Sequence, residues 1–388
     1  MNVSFFRTAQ ELIVGTGALS RLEEKVRELG ANTVLVITDR GVRQVGLTAV
    51  VEAPLRRAGL AVDVFDDVMP EPPFENLLDL LGKAKGKAYD LVIGIGGGSA
   101  MDIAKVLAVL LTNGDTDVYD MIGIERVNRP GIPFILIPTT AGTGSEVTYN
   151  AIFTDTRDQV KKGIVSKHLL PKVAIVDPAL TLSLPPAVTA ATGMDALVHA
   201  VESYTALRAS DLTDGIALHA IRLISRHLRT AVHNGQNLEA RENMAVGSLM
   251  AGISLANAGV GAVHALAYPL GGRFKVPHGV ANSLLLPYVM RYNVVADLPK
   301  FAEVARAMGE PVEGLSLRDA AERTVQALAR LARDIGIPSS LKDVGVTERD
   351  IPSLAEEAGK IDRLLNNNPR RLTLQDIEDI YRAAYAGA

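Results

Sequence analysis

Hydrophobic residues follow two patterns along the chain. Up to about residue 180 they gather in short β-branched runs at 34–37, 62–65, 91–95, 134–137 and 173–176, mostly bounded by Gly, Pro or Asp, which predicts strands. Helix-length stretches separate them. The one before the first run carries Leu19, Leu22, Val26 and Leu29 at three- and four-residue spacing, as an amphipathic helix does. Such alternation favours parallel strands with crossover helices, because parallel neighbours need a long return connection. Beyond Leu184-Pro185-Pro186 the strand signal fades. Residues 212–230, 238–258 and 317–335 carry helical periodicity, and Thr373 with Asp376 reads as a helix N-cap. The expectation is an α/β domain over residues 1–182 and an all-α domain over 183–388, with the cleft between two such halves a natural place for a small ligand.

One stretch breaks the pattern. Residues 243–272 contain no Asp, Glu, Lys or Arg and are long enough to span a bilayer, which needs about 20 apolar residues. Asn243, Ser248, Ser254, Asn257, His264 and six glycines make the segment too polar for that, so a helix buried inside a globular domain is expected. The amino terminus lacks the cationic and apolar regions of a secretory signal, and a cytoplasmic address is the default expectation.

Charge and composition narrow the chemistry. Among 388 residues, 40 Lys plus Arg face 44 Asp plus Glu, a net charge of −4. No block of like charge offers the basic surface that nucleic acid or an anionic membrane requires. With no cysteine, disulfides, thiolate metal sites and a catalytic thiol are excluded, and any bound metal must use oxygen and nitrogen ligands.

Two loops carry the marks of phosphate binding. The run 91–95 passes through Gly96, Gly97 and Gly98 into a helix, where missing Cβ atoms let backbone N–H groups approach a pyrophosphate and the helix terminus adds a favourable dipole. Ser99 is placed to cap that helix or donate a hydrogen bond. The sequence is not G-x-G-x-x-G, because Ser99 stands where the last glycine belongs, and a tight strand-to-helix turn has the same composition. The second loop sets Thr139, Thr140, Thr143 and Ser145 beside Gly142 and Gly144, rich in donors and also compatible with an ordinary Ser/Thr turn. Asp39 follows the run 34–37. A carboxylate there would accept from an adenosine ribose and repel a 2′-phosphate, favouring NAD over NADP, although Asp in a turn is common.

Asp195 and His199 are four residues apart, hence on one face of a helix. His264 and His278 follow, the latter in a Pro-His-Gly turn. One carboxylate and three imidazoles make a sensible shell for Fe²⁺ or Zn²⁺, while taken separately Asp195 and His199 read as a routine i, i+4 polar pair on a helix, His264 as a core histidine and His278 as a turn residue.

The motifs Gly96-Gly-Gly-Ser-Ala-Met-Asp-Ile-Ala-Lys105, Pro138-Thr-Thr-Ala-Gly-Thr-Gly-Ser-Glu-Val-Thr148, Asp177-Pro178, Gly193-Met-Asp-Ala-Leu-Val-His199, Gly261-Ala-Val-His264, Pro277-His-Gly279 and Asn367-Asn368-Pro369 stand in the order seen in iron-containing (group III) alcohol dehydrogenases. Over nearly its whole length the chain resembles that family. The resemblance implies a Rossmann-like domain and a helical domain in the dehydroquinate synthase-like architecture, holding NAD(P) beside a divalent metal. It implies Asp195, His199, His264 and His278 as metal ligands. It implies Gly97, Gly98 and Ser99 at the pyrophosphate, Asp102 on the nicotinamide side, and Thr139, Thr140 and Ser145 in the second cofactor loop. Lys161 and Leu180 resemble further cofactor contacts, the latter at the adenosine end, and Asp39 matches the position that selects NAD. A homodimer or higher homo-oligomer is implied as well. The chain departs from the family at Tyr268, where many members carry a second histidine four residues after the third ligand. A phenol with pKa about 10 is a poorer proton shuttle.

The expected chemistry is hydride transfer between nicotinamide C4 and a small alcohol or aldehyde, with Fe²⁺ or Zn²⁺ supplying electrophilic help, NAD(H) preferred over NADP(H), and His264 and Tyr268 nearest the reacting groups. Two other readings stay open: an NAD-regenerating or non-redox enzyme on the dehydroquinate synthase-like scaffold, and a nucleotide sensor without chemistry.

Overall fold

In the computed structural model, which describes residues 5–114, 116–157 and 160–387, the apolar runs pair as parallel strands. The chain divides into two compact units, Thr8–Ser183 and Leu184–Ala388, with residues 5–7 grouped with the second. There the backbone of Arg7 exchanges hydrogen bonds with the Asn257 amide at 2.6 and 2.9 Å.

The first unit contains β1 (Glu11–Val14), α1 (Leu22–Glu28), β2 (Thr33–Ile37), α2 (Arg40–Gln44), α3 (Leu47–Arg57), β3 (Ala61–Phe65), α4 (Phe74–Ala84), β4 (Leu91–Gly96), α5 (Gly98–Leu110), β5 (Gly123–Ile124), β6 (Phe134–Pro138), β7 (Asn150–Asp155), β8 (Val160–Val165) and β9 (Val173–Val176). Six strands form a parallel sheet in the order β1-β9-β6-β4-β2-β3. Its central strands are buried on both faces, which is why they read as unbroken apolar runs. Leu35, Ile37, Val92 and Leu136 pack with Phe74, Leu77 and Leu80 of α4 and Met101 of α5. Their alternating neighbours Val34, Val36, Ile93 and Ile135 pack with Leu22 and Val26 of α1 and Val51 and Leu55 of α3. From β3, outside β2, the chain crosses to β4 on the other side of β2. The carboxyl ends of β2 and β4 therefore flank a topological switch point, where open α/β sheets bind ligands.

Two features depart from simple alternation. β1 is a half-exposed edge strand, and β5, β8 and β7 form a separate sheet containing an antiparallel pair.

The second unit is helical: α6 (Pro186–Thr205), α7 (Asp211–His233), α8 (Leu238–Ala258), α9 (Ala262–Phe274), α10 (His278–Asn293), α11 (Leu298–Ala307), α12 (Leu317–Asp334), α13 (Ile351–Ala358), α14 (Asp362–Leu365) and α15 (Leu374–Ala386). α6 packs against α7, α8 and α10 and is buried almost throughout from Thr189 onward. Thr373 and Asp376 form the capping box of α15. The uncharged segment is not one buried helix, as the sequence reading had it, but two. Gly259 takes φ 76° and Gly261 serves as the next N-cap, so α8 and α9 meet at a 103° bend. Among the described residues no single helix is long and apolar enough to cross a membrane.

Candidate active site

In the first unit the glycine turn closes β4 and opens α5. Gly96 takes φ 152° and a Cβ there would meet Ala100 Cβ at 2.8 Å, while one on Gly98 would meet Thr143 Cγ2 at 2.9 Å. The turn is open only because these side chains are absent. Gly97 is the N-cap of α5 and offers no side-chain cap, leaving the first N–H groups of the helix available to an anion. Ser99 does not cap α5; its Oγ accepts the Glu71 N–H at 3.2 Å.

The hydroxyl-rich loop lies against this turn. Thr139 N–H donates to Gly96 O at 2.9 Å, and Thr140 Oγ1 is 3.8 Å from the Cβ position of Gly97, buried and without a hydrogen-bond partner. Such an orphaned group beside helix N–H donors fits a phosphate acceptor. Ser145 Oγ donates to Asp102 Oδ1 at 2.5 Å, and Ile152 N–H donates to Asp102 Oδ2 at 2.9 Å. Asp102 thus ties the second loop to α5. Asp39 lies on the other side of the turn, with Oδ2 3.5 Å from the Cβ position of Gly96 and Oδ1 capping α2 through Val42 N–H at 3.0 Å. Lys161 pairs with Glu71 at 2.9 Å, and its neighbour Lys162 pairs with Asp155 at 2.7 Å. Leu180 is 5% exposed, within the apolar cluster on the α1 and α3 face.

In this unit the structure adds two residues that sequence reasoning missed. Lys105 is fully buried, donating to Thr148 Oγ1 at 3.2 Å and Asn150 O at 2.8 Å, with Asp102 3.5 Å away. Burial lowers its pKa against the pull of Asp102 and Glu146. Burial also pushes Glu146, in the second loop, up to about 7.

In the second unit α6 carries Asp195 and His199 one turn apart, the first turn of α9 carries His264, and α10 begins at His278. Candidate ligand atoms of Asp195, His199 and His264 lie within 4.8 Å of one another, and all three residues are buried. His264 stacks on His199 at 5.0 Å between ring centroids. His278 sits at the open edge of the trio: its side chain is 38% exposed and Nε2 is 3.9 Å from Asp195 Oδ1. Asn282 Nδ2 spans the two, 2.8 Å from Asp195 Oδ1 and 3.0 Å from His278 Nε2.

The electrostatics suit a cation. Burial opposes ionisation of Asp195, but His199, His278 and His264 together outweigh it and lower its pKa. Burial and the two neighbouring imidazoles hold His264 well below 6.5, hence neutral. Its Nε2 is buried without a partner, while Nδ1 is 2.5 Å from Glu202 Oε2. An orphaned ring nitrogen beside a carboxylate and a second imidazole is a donor set that fits Fe²⁺ or Zn²⁺. Burial raises Glu202 to about 7, against the pull of the Val263 and Gly261 N–H groups. Tyr268 lies 6.2 Å from His278 between centroids, and burial pushes its phenol above 10.

Two family profiles cover the chain: "Iron-containing alcohol dehydrogenase" over residues 9–178 and "Fe-containing alcohol dehydrogenase family, C-terminal" over residues 189–385. The chain belongs to the iron-containing alcohol dehydrogenase family. It is 47% identical over 376 residues to long-chain-alcohol dehydrogenase 1 of Geobacillus thermodenitrificans, covering 96% of this chain and 95% of that one. The crystal structure of a 1,3-propanediol oxidoreductase superposes with a TM-score of 0.96 at 44% identity, over 99% of this chain and 100% of the other. Sulfoacetaldehyde reductase from Bifidobacterium kashiwanohense, solved with NAD+, gives a TM-score of 0.87 at 31% identity over 99% of each chain. The protein is accordingly an oxidoreductase of CH–OH groups, with the activity of an NAD-dependent alcohol dehydrogenase or aldehyde reductase.

Proposed function

We propose that this protein is a divalent-metal-dependent dehydrogenase that prefers NAD to NADP and interconverts small alcohols and aldehydes. The observation that carries the metal assignment is the convergence of Asp195, His199 and His264 on one point with His264 Nε2 unpartnered. Iron is the proposed native ion, zinc being the other that suits one carboxylate and three imidazoles, with His278 as the fourth ligand. A divalent ion there supplies electrophilic help to a carbonyl oxygen, while NADH supplies the hydride.

The chain's own residues do the rest. Gly97, Gly98, Ser99, Thr139, Thr140 and Ser145 bind and orient the cofactor phosphates, with Asp102 holding Ser145 in place, and Lys161 and Leu180 are proposed as further cofactor contacts. Asp39 takes the adenosine ribose and repels a 2′-phosphate, a reading supported by its place at the switch point beside Gly96. Tyr268 keeps its proton near neutrality and serves as a hydrogen-bond donor rather than a base. The reading includes a cytoplasmic homodimer or higher homo-oligomer and no nucleic-acid or membrane partner, the last supported by a net charge of −4 without basic blocks.

The test is metal analysis of anaerobically purified protein, joined to NADH absorbance with short alcohols, diols and aldehydes. In His264→Ala, metal content and turnover are expected to fall while NAD binding persists. Full metal loading and unchanged turnover in that variant would remove His264 from the ligand set.

A further inference from the structure

Helix α9 begins without a cap of its own. Its N-cap is Gly261, which has no side chain to accept from the first N–H groups, and buried N–H groups left unpaired are costly. Two residues from other elements take that role. Asn368 Oδ1 accepts the Ala262 N–H at 3.3 Å, and Glu202 Oε1 accepts the Val263 N–H at 2.7 Å. Asn368 is itself locked by a reciprocal pair with Asn293, at 2.9 and 2.8 Å. The other oxygen of Glu202 faces His264 Nδ1. Glu202 is 2% exposed and stands three residues beyond His199 on α6, so the helix bearing two candidate ligands also grips the ring of the third.

We propose that Glu202 is a positioning residue that sets the tautomer of His264, an inference that rests on the metal reading above for its consequence but not for its geometry. The Val263 N–H fixes the carboxylate's rotation and commits Oε1 as an acceptor. Oε2 then accepts the proton of Nδ1, and Nε2 is left bare on the side of Asp195 and His199. The opposite tautomer would set a ring lone pair against a carboxylate lone pair and carry a proton on Nε2, where a cation has to bind. A histidine whose second nitrogen is held this way is oriented and made a better ligand.

Glu202→Gln separates this role from simple packing, because it is isosteric. The Gln carbonyl oxygen can keep the Val263 N–H, and its amide N–H can donate to Nδ1, so every group is satisfied only if the ring proton moves to Nε2. In metal-free protein labelled with 15N-histidine, long-range 1H–15N spectra at mildly alkaline pH are expected to show His264 protonated on Nδ1 in the wild type and on Nε2 in Glu202→Gln. Competition between the protein and a chelator for Co²⁺ is expected to show affinity about 10- to 100-fold weaker in the variant, with its far-ultraviolet circular dichroism unchanged. An Nε2–H tautomer in the wild type would overturn the proposal without any variant. So would a variant that keeps the Nδ1 proton and the wild-type Co²⁺ affinity. Failure of the wild type to bind Co²⁺ would instead defeat the metal reading, and the tautomer spectra would still decide the role of Glu202.

Discussion

Gly279 sits beside His278 at the start of α10, where a Cβ would meet Ala191 O of α6 at 2.5 Å and Ala191 C at 2.9 Å. Ordinary contact begins near 3.4 Å, so a methyl group there needs about 0.9 Å more room. Both obstructing atoms are backbone, and the helices rather than a rotamer must yield. The displaced helix carries Asp195 one turn beyond Ala191, and the displaced end carries His278, 3.9 Å from Asp195 Oδ1. Metal-ligand distances tolerate only about 0.2 Å of error. Gly279→Ala is therefore expected to cost about 1–3 kcal/mol, lowering the apparent unfolding midpoint by roughly 2–12 °C for a unit of this size. The added stability that a divalent ion confers should shrink as well. Circular dichroism melts with and without Co²⁺ read both quantities. Gly215→Ala is the control: Gly215 is an exposed position inside α7 with nothing within 4 Å of its Cβ position, and alanine there should stabilise by about 0.5–1 kcal/mol. An unchanged midpoint and an unchanged Co²⁺ shift in Gly279→Ala would refute the argument that this contact sets the helix spacing.

Asp39→Gly is expected to raise the ratio of kcat/KM with NADP to that with NAD by about tenfold or more, equivalent to 1.4 kcal/mol. Because glycine replaces an N-cap aspartate at a cost of only a few tenths of a kcal/mol, the melting temperature should hardly move; an unaltered ratio would take Asp39 out of cofactor selection. Asp155 is buried, and its hydrogen bonds from Arg157, joined by Lys162, hold its carboxyl well below the usual carboxylate range. A depressed folded-state pKa means stabilisation that is complete above the unfolded value near 4 and is lost as pH falls toward the folded one. Asp155→Asn should thus cost about 1.5–3 kcal/mol at neutral pH, with the gap to wild type closing below about pH 4. Urea unfolding at a series of pH values measures this, and a gap that stays constant into acid would contradict it.

The central strands were legible because a strand buried on both faces has no polar positions to interrupt it: Val34, Leu35, Val36 and Ile37 are all fully buried. Edge and antiparallel strands lack that mark. β1 has only four residues and a half-exposed pattern, and β8 carries Lys161, Lys162 and Gly163 where a core strand would carry branched residues. β7 carried no such mark either: its burial alternates with period two, but Ile152 is partly exposed and Asp155 is buried, so polarity along the strand does not follow the alternation. The uncharged segment hid its own break for a related reason. Without charged residues to mark an outer face there was no clear helical phase to interrupt, and only Gly259 and Gly261 signalled the bend.

Spacing identifies which residues share a helix face but not which face is buried, and that distinction separates the legible part of the site from the rest. Asp195 and His199 were found as an i, i+4 pair, and Glu202, at i+7 from Asp195, lies on the same face. On a solvated helix it would be one more surface carboxylate. On α6, where the residues from Gly193 to Thr205 are buried, a carboxylate is tolerated only with its oxygens satisfied, and the Val263 N–H and the His264 ring satisfy them. Lys105 follows the same logic in the other unit, its ammonium buried and committed to Thr148 and Asn150. The sequence does not mark these two charges as buried, because Glu202 has His199 and Ser203 beside it on α6 and Lys105 has Asp102 one turn before it on α5. Only burial distinguishes them from surface charges, and each leads to a loop or candidate ligand that the motif residues alone do not hold in place.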